Sequence, residues 1–146
     1  MNTRLALILM LLASAVFAGT GCNFADRSDG KVAIEVTCDD FQKPGQRNVV
    51  REANAKVAQI VDVALCANAS TGFQWEEAVI GDTGVVQQID RQFEAPKAGM
   101  PGAPGNDRWS FKALKKGHSD ISMRYSRPWE GGEKGVWTFT LKVFVE

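Results

Sequence analysis

Residues that usually carry out chemistry are scarce in this sequence of 146 residues. It contains one histidine, His118, and three cysteines, and its formal net charge at pH 7 is +0. A zinc site needs several closely spaced ligands, and a catalytic histidine needs partners that the segment around His118, predicted as a turn, does not offer. A balanced charge gives no electrostatic attraction for nucleic acid. The composition therefore favours a binding protein over an enzyme and predicts no metal or cofactor.

Long apolar runs are also missing, except at the N-terminus. The positive Arg4 is followed by Leu5 to Phe17, which is almost wholly apolar and is short for a transmembrane span. This pattern predicts a signal peptide at residues 1–21 and an exported protein. A polar tether at 22–31 would then lead into a single domain at 32–146, which is long enough for one hydrophobic core.

The three cysteines allow two ways of processing the N-terminus. Gly19-Thr20-Gly21-Cys22 resembles a bacterial lipoprotein box, although Gly19 stands where such boxes usually carry leucine. Lipid on Cys22 would leave Cys38 and Cys66 as an even pair, which suits an oxidising compartment. We therefore expect a periplasmic or outer-membrane lipoprotein with a membrane anchor on Cys22 and a Cys38–Cys66 disulfide. Cleavage after Ala18, giving a simple secreted protein, is the alternative.

Alternating apolar and polar residues dominate the remaining chain. The clearest run is Trp137 to Val145, and about seven such segments are separated by turn signals. This periodicity predicts an all-β, antiparallel two-sheet sandwich. We also expect Val85, Ile89 and Phe93 to share a buried face, and Arg47 to Ala58 to hold at most a short helical turn.

Three segments interrupt the strand pattern. They are Asn68 to Trp75, the proline- and glycine-rich stretch from Ala95 to Asp107, and Arg127 to Glu130. A connection as long as the second is usually functional or disordered. Each segment falls between predicted strands, where binding residues are commonly placed.

Taken together, these segments resemble the chagasin family of cysteine peptidase inhibitors. That family carries Asn-Pro-Thr-Thr-Gly-(Phe/Tyr)-x-Trp, Gly-x-Gly-Gly and Arg-Pro-Trp loops in this order, and the resemblance runs from about Val57 to the C-terminus. It implies an immunoglobulin-like sandwich, monomeric, whose three loops form a wedge that enters the cleft of papain-family cysteine peptidases. The residues that it implies for peptidase binding are Asn68, Ser70, Thr71, Gly72, Phe73, Gly102, Gly105, Arg127, Pro128 and Trp129.

The resemblance also implies individual roles. Thr71 would approach the peptidase nucleophile, and Trp129 would pack on the aromatic wall of the cleft. Two positions depart from the family pattern. Ala69 stands where proline is usual, so the first loop should be less preorganised. Pro104 stands where the second motif has glycine.

Two other hypotheses remain open at this point. An envelope sandwich lipoprotein could keep the loops and bind another partner, such as a carbohydrate or an assembly factor. An enzyme could use Cys66 or His118, although a disulfide would prevent Cys66 from acting as a nucleophile.

Overall fold

The computed structural model describes residues 30–96 and 102–146. The predicted signal peptide at 1–21, the lipidated Cys22 and most of the tether at 22–31 lie outside these residues. Strand β1 begins at Lys31, which the sequence assigns to the end of the tether. The processing and anchoring of the N-terminal segment stay predictions.

Two β-sheets packed face to face make up the fold. The elements in chain order are β1 (Lys31–Val36), α1 (Cys38–Gln42), β2 (Asn48–Ala55), β3 (Ile60–Ala67), a single 3-10 turn (Ala69–Thr71), β4 (Gln74–Trp75), β5 (Val79–Ile80), β6 (Val86–Glu94), β7 (Gly105–Ala113), β8 (Gly117–Ser126) and β9 (Trp137–Val145). The first sheet has the strand order β1-β3-β7-β6. The second has the order β2-β9-β8-β4, with β5 also paired to β8. The predicted two-sheet sandwich is confirmed.

Two strand pairs depart from the antiparallel arrangement that the sequence predicts. β1 runs parallel to β3, with Lys31 opposite Ile60, and β2 runs parallel to β9, with Asn48 opposite Thr138. β1 and β2 are consecutive but belong to different sheets, so each pairs with a strand remote in sequence. Pairing direction of that kind depends on topology, which strand periodicity does not encode.

The core fills the space between the sheets with the inward residues of the long strands. β7 and β9 show the alternation most clearly, since every second side chain is buried along much of each strand. The largest fully buried side chains are Trp75, Trp109, Phe41, Phe111, Phe139, Leu65, Ile121, Met123 and Leu141. Burial of this kind supplies most of the free energy that favours folding.

The prediction for Arg47 to Ala58 is wrong, because β2 occupies most of that segment. Its inward residues are Val49, Ala53 and Ala55, all buried, together with the half-buried Arg51. Alanine and arginine dilute the apolar alternation that normally reveals a strand. β2 is an edge strand of the second sheet, where fewer apolar side chains are needed.

The predicted buried face of Val85, Ile89 and Phe93 is also wrong. Val85 is buried, but Ile89 is 48% exposed and Phe93 is 50% exposed. The register of β6 against β7 shifts between Gln88 and Asp90. Ile89 has no partner at this shift, and the inward face passes from Val86 and Gln88 to Arg91 and Phe93. Phe93 is exposed because it lies near the end of an edge strand.

Within the described residues, no helix is long and apolar enough to cross a bilayer.

Candidate functional site

The three motif segments leave the sheets at the same end of the sandwich. Ala67 at the end of β3 pairs with Gly105 at the start of β7, and Gln74 in β4 pairs with Ser126 at the end of β8. The connections that contain residues 68–73, 102–104 and 127–136 therefore start or finish side by side. We call this the loop end of the molecule.

The first loop is folded around the side chain of Asn68. Its Oδ1 accepts hydrogen bonds from the Ser70 amide, at 3.2 Å, and the Ser70 hydroxyl, at 2.6 Å. The Thr71 hydroxyl donates to the Asn68 carbonyl at 2.7 Å. Gly72 then takes a left-handed conformation with φ of 76°, and its amide donates to Ala69 O at 3.2 Å. The result is one closed turn with the side chains of Ala69, Ser70 and Thr71 exposed.

The base of this loop is fixed by the hydroxyl of Tyr125 on β8. The Asn68 amide donates to Tyr125 Oη at 2.8 Å, and the Tyr125 ring stacks on Phe73 with ring centroids 5.6 Å apart. Burial raises the pKa of Tyr125, and hydrogen bonding to the Asn68 backbone opposes that rise. The hydroxyl thus stays protonated at neutral pH. Tyr125 lies outside the three motif segments, and in the sequence its hydroxyl is the available sign of such a role.

The third loop places Trp129 against the first. Trp129 is 51% exposed, and one edge of its indole ring lies over Gly72. A Cβ atom added at Gly72 would lie only 2.7 Å from Trp129 Cη2. Because Gly72 has no side chain, its backbone can take the positive φ and the Trp129 indole can approach it closely.

Arg127 links the same two loops. Its guanidinium carbon lies 4.4 Å from the centroid of the Phe73 ring and 5.7 Å from that of Trp129. Such cation–π contacts hold both rings without requiring a carboxylate partner. Phe73 is half-buried between Tyr125 and Arg127, which makes it a support for the loops rather than an outward contact.

Two residues that sequence analysis missed close the third loop. Lys134 Nζ donates to the carbonyl oxygens of Arg127 and Trp129, and the Gly132 amide donates to Trp129 O at 3.1 Å. A Cβ atom on Gly132 would lie 2.8 Å from the Arg127 Cβ. A lysine and a glycine downstream of a tryptophan carry no recognisable motif, so neither could have been identified from the sequence alone.

The second segment contacts the first through one described hydrogen bond. Asn68 Nδ2 donates to the Gly102 carbonyl at 3.0 Å, and Gly102 is exposed with φ of 81°. Gly105 has a different place from the one that the resemblance implies. It is buried in β7, where a Cβ would overlap Glu94 O and lie 2.9 Å from Phe93 Cζ. Its lack of a side chain serves strand packing.

Two further predicted features also lie at the loop end. Pro128 is exposed beside Trp129. Cys38 and Cys66 lie with their Cα atoms 5.2 Å apart, within the range of about 4.4–6.8 Å that disulfides span. Trp75 is buried, and its Nε1 donates to Cys66 O at 3.0 Å.

His118 lies far from these cysteines. It is in strand β8, not in the predicted turn, beside Gly117, which pairs with Val145 at the end of β9 remote from the loops. Its Nε2 is 2.9 Å from Asp120 Oδ1, and both side chains are about half exposed. Within residues 30–96 and 102–146, no three histidine, cysteine or acidic side chains are grouped as they would be around a metal ion.

Comparison with known proteins agrees with the loop sequences. The family model for chagasin family peptidase inhibitors matches residues 54–143. Amoebiasin-2 of Entamoeba histolytica is 33% identical over 86 residues, which are 59% of this chain and 70% of that protein.

Solved structures show the same fold. The crystal structure of EhICP2, a cysteine protease inhibitor from Entamoeba histolytica, superposes with a TM-score of 0.61 at 23% identity, covering 80% of this chain and 97% of that one. PbICP-C, solved in complex with falcipain-2, gives a TM-score of 0.59 at 16% identity, covering 79% and 99%. Because the family model spans more than half of the sequence, this chain belongs to the chagasin family of peptidase inhibitors, whose members are not themselves enzymes.

Proposed function

We propose that this protein is a reversible inhibitor of papain-like cysteine peptidases, and that its loop end occupies the active-site cleft of the peptidase. The observation that carries the proposal is the contact between loops. Trp129 rests on Gly72, Arg127 lies over Phe73, and Asn68 is bonded to Gly102. The match to a family of peptidase inhibitors supports a peptidase as the target, and these contacts join the three loops into one surface.

Preorganisation of the loops supports tight binding. Ordering a mobile loop on association costs free energy, and a loop that is already ordered avoids much of that cost. In the first loop the Asn68 and Thr71 side chains are hydrogen bonded within the loop itself. Exposed residues at its tip are small, so they fit a narrow cleft.

The shape of the first loop also explains how it resists cleavage. Ala69 to Thr71 form a 3-10 turn that ends at the left-handed Gly72. A peptide must adopt an extended form to lie along a cleft and present its carbonyl to a nucleophile. Opening this turn would break the hydrogen bonds that Asn68 accepts. The loop therefore reaches the peptidase cysteine without offering a bond in a reactive geometry.

Trp129 provides the main apolar contact in this proposal. Half of its surface is exposed, on a loop held by Lys134 and Gly132. A tryptophan that fills a pocket in a partner commonly contributes ~2 kcal/mol or more to binding.

We further propose that the protein acts outside the cytoplasm, as a monomer and with lipid on Cys22. Cys38 and Cys66 are spaced for a disulfide, and a disulfide persists in an oxidising compartment. Their spacing therefore supports a location outside the cytoplasm. Simple secretion remains the alternative for processing.

Steady-state inhibition of papain tests the function directly. The chain from Asn23 onward contains both sheets and the whole described core, and it would be titrated against papain at several substrate concentrations. We expect competitive inhibition that is weakened by Trp129→Ala and by Thr71→Ala. Val79→Ala is the matched control, since Val79 is 69% exposed on β5 and outside the three loops.

Failure would also be informative. If the folded protein inhibits neither papain nor a panel of cathepsin-like enzymes at micromolar concentration, the inhibitor proposal is wrong. The alternative of an envelope module that binds another partner would then be favoured.

A further inference from the structure

The end of the sandwich opposite the loops is where the chain enters the fold. β1 runs parallel to β3, and its first residue, Lys31, lies opposite Ile60. β3 then runs from Ile60 to Ala67 at the loop end, a distance of about 25 Å for eight extended residues. Gly30 therefore lies at the end of the molecule that is remote from the loops. We call this the entry end.

Lysines from four segments converge at the entry end. Lys31 and Lys112 flank Ile60 in neighbouring strands, Lys56 begins the turn before β3, and Lys115 and Lys116 precede β8. All five are exposed.

Carboxylates also lie at or near this end. They are Asp62, which pairs with Lys31 at 3.5 Å, Asp120, which pairs with His118 at 2.9 Å, and Asp82, Asp90 and Glu146. Among the described residues, no carboxylate oxygen lies within 4.0 Å of the other four lysines. The ammonium groups of Lys56, Lys112, Lys115 and Lys116 are therefore exposed and outside any ion pair of the described residues, so they can meet an anionic surface.

Apolar side chains project among these lysines. Val57 is 45% exposed and Leu114 is 37% exposed. The turn that carries Val57 is fixed by its backbone, since Val57 N donates to Glu146 O at 3.3 Å and Ala58 N donates to Ala113 O at 2.9 Å. Ala58 has a φ of 72°, which is unfavourable for a residue with a side chain. The turn thus holds Val57 outward at some conformational cost.

A shallow depression lies beside the point of entry. Its volume is about 390 Å³, and it is lined by Gly30, Lys31, Val57, Ala58, Gln59 and Ile60. Lysines around apolar side chains are the chemistry that suits an anionic lipid surface, where ammonium groups meet headgroups and apolar tips reach the acyl boundary.

We propose that the entry end is a docking surface for a bilayer that contains anionic phospholipid. The sequence outside the structure favours this occupant over others. Cys22 stands eight residues before Gly30 and follows the apolar run at residues 5–17. Eight residues span at most about 28 Å. Lipid on Cys22 would therefore hold the lysines close to the headgroups.

The geometry has a functional consequence that rests on the proposed inhibition. A protein docked by its entry end directs the loop end away from the bilayer. Peptidases in solution could then reach the loops while the inhibitor stays on the membrane. The lysines would act as the second attachment that a single lipid anchor needs for stable binding.

Vesicle sedimentation tests the docking surface without the lipid anchor. The chain from Asn23 onward would be mixed with vesicles of phosphatidylcholine containing phosphatidylglycerol, and with vesicles of phosphatidylcholine alone. Lys115→Gln/Lys116→Gln should lower the partition coefficient on anionic vesicles about 30-fold, since each lysine near such a surface contributes about fivefold. Partition onto phosphatidylcholine alone should be weak for every variant.

The matched control removes the same charge at the loop end. Lys43 and Arg47 are exposed in the connection between α1 and β2, which reaches the start of β9. Lys43→Gln/Arg47→Gln should change the partition coefficient less than threefold. Equal losses in the two double variants would overturn the proposal, because they would show attraction by net charge alone. Absence of binding to anionic vesicles at low salt would overturn it as well.

Papain inhibition measured with and without anionic vesicles keeps this proposal separate from the inhibitor proposal. We expect the same inhibition constant in both conditions, because the loops face away from the lipid. Inhibition that is lost on vesicles would contradict the proposed orientation. If papain is never inhibited, the function is wrong, and the partition coefficients still decide the docking surface.

Discussion

The two ends of the sandwich are made by the same strands but are fixed in different ways. At the loop end, side chains hold the backbone: Asn68, Tyr125 and Lys134 each bond to main-chain atoms of the loops. At the entry end, most bonds run between backbone groups, such as Leu114 N to Val85 O at 2.7 Å and Ala58 N to Ala113 O at 2.9 Å.

This difference explains which end can be recognised from a sequence. Backbone bonds form with almost any side chain, so the turns of the entry end leave no motif. Loops held by particular side chains require those residues at fixed positions. Substitutions should therefore alter the shape and activity of the loop end while leaving the entry end able to fold.

The largest expected effect concerns the link between Cys38 and Cys66 at the loop end. A bridge over a separation of 28 residues contributes about 3.6 kcal/mol to the free energy of unfolding by loop-closure entropy. Cys38→Ala/Cys66→Ala should lower that free energy by this amount in urea denaturation. Two free thiols in the oxidised protein, with no change in unfolding midpoint, would show that no bridge forms.

Gly72→Ala should have the next largest effect. The added Cβ would displace Trp129 from a position 2.7 Å away, at a residue with φ of 76°. We expect inhibition of papain to weaken at least 30-fold, which corresponds to loss of ~2 kcal/mol from the Trp129 contact.

Gly45→Ala provides the control for backbone strain. Gly45 has a similar φ of 78°, but a Cβ there would meet no atom within 4 Å. It should lower stability by ~1 kcal/mol and leave inhibition unchanged. Equal losses of inhibition in both variants would mean that the Trp129 contact is unimportant.

Tyr125→Phe should have a moderate effect. It removes the acceptor of the Asn68 amide, and a lost hydrogen bond of this kind costs ~1 kcal/mol, or about fivefold in inhibition. The pKa of Tyr125 is raised by burial above its ordinary value of about 10, so the hydroxyl stays protonated throughout the assay range. The difference between the two proteins should therefore be constant from about pH 6 to 9. A difference that disappears toward pH 9 would contradict the proposed protonation state.

The smallest expected effect is a gain from Ala69→Pro. Ala69 is the first residue of the 3-10 turn, its amide donates no hydrogen bond in the described structure, and Asn68 before it is extended with φ of −119° and ψ of 94°. Proline fits such a position and reduces the freedom of the unbound loop by ~0.4–1 kcal/mol. Inhibition should tighten two- to fivefold. A clear weakening would show that the loop changes conformation when it binds.

Much of the fold could be predicted because strong alternation survives in the central strands. β9 is apolar at every second residue, and β7 behaves in the same way. The edge strand β2 was missed because its inward residues include Ala53, Ala55 and Arg51. β6 was misread because a register shift has no signature in residue type.

The candidate site shows the same division. Asn68, Gly72 and Trp129 were identified through their motifs, and the structure brings all three together. Tyr125 and Lys134 were missed because their contacts depend on how β8 and the third loop are arranged in space. A strand residue and a loop lysine acquire these roles only through tertiary contacts.

The central claim is that the loop end occupies the peptidase cleft. The most direct test compares the affinity of the protein for papain with an open cleft and for papain with a blocked cleft. Calorimetry would compare free papain with papain whose catalytic cysteine carries a covalent inhibitor that fills the cleft. We expect tight binding to free papain and no measurable binding to the blocked enzyme. Equal affinity for both forms would show that the protein binds papain elsewhere and would contradict the account of the loop end.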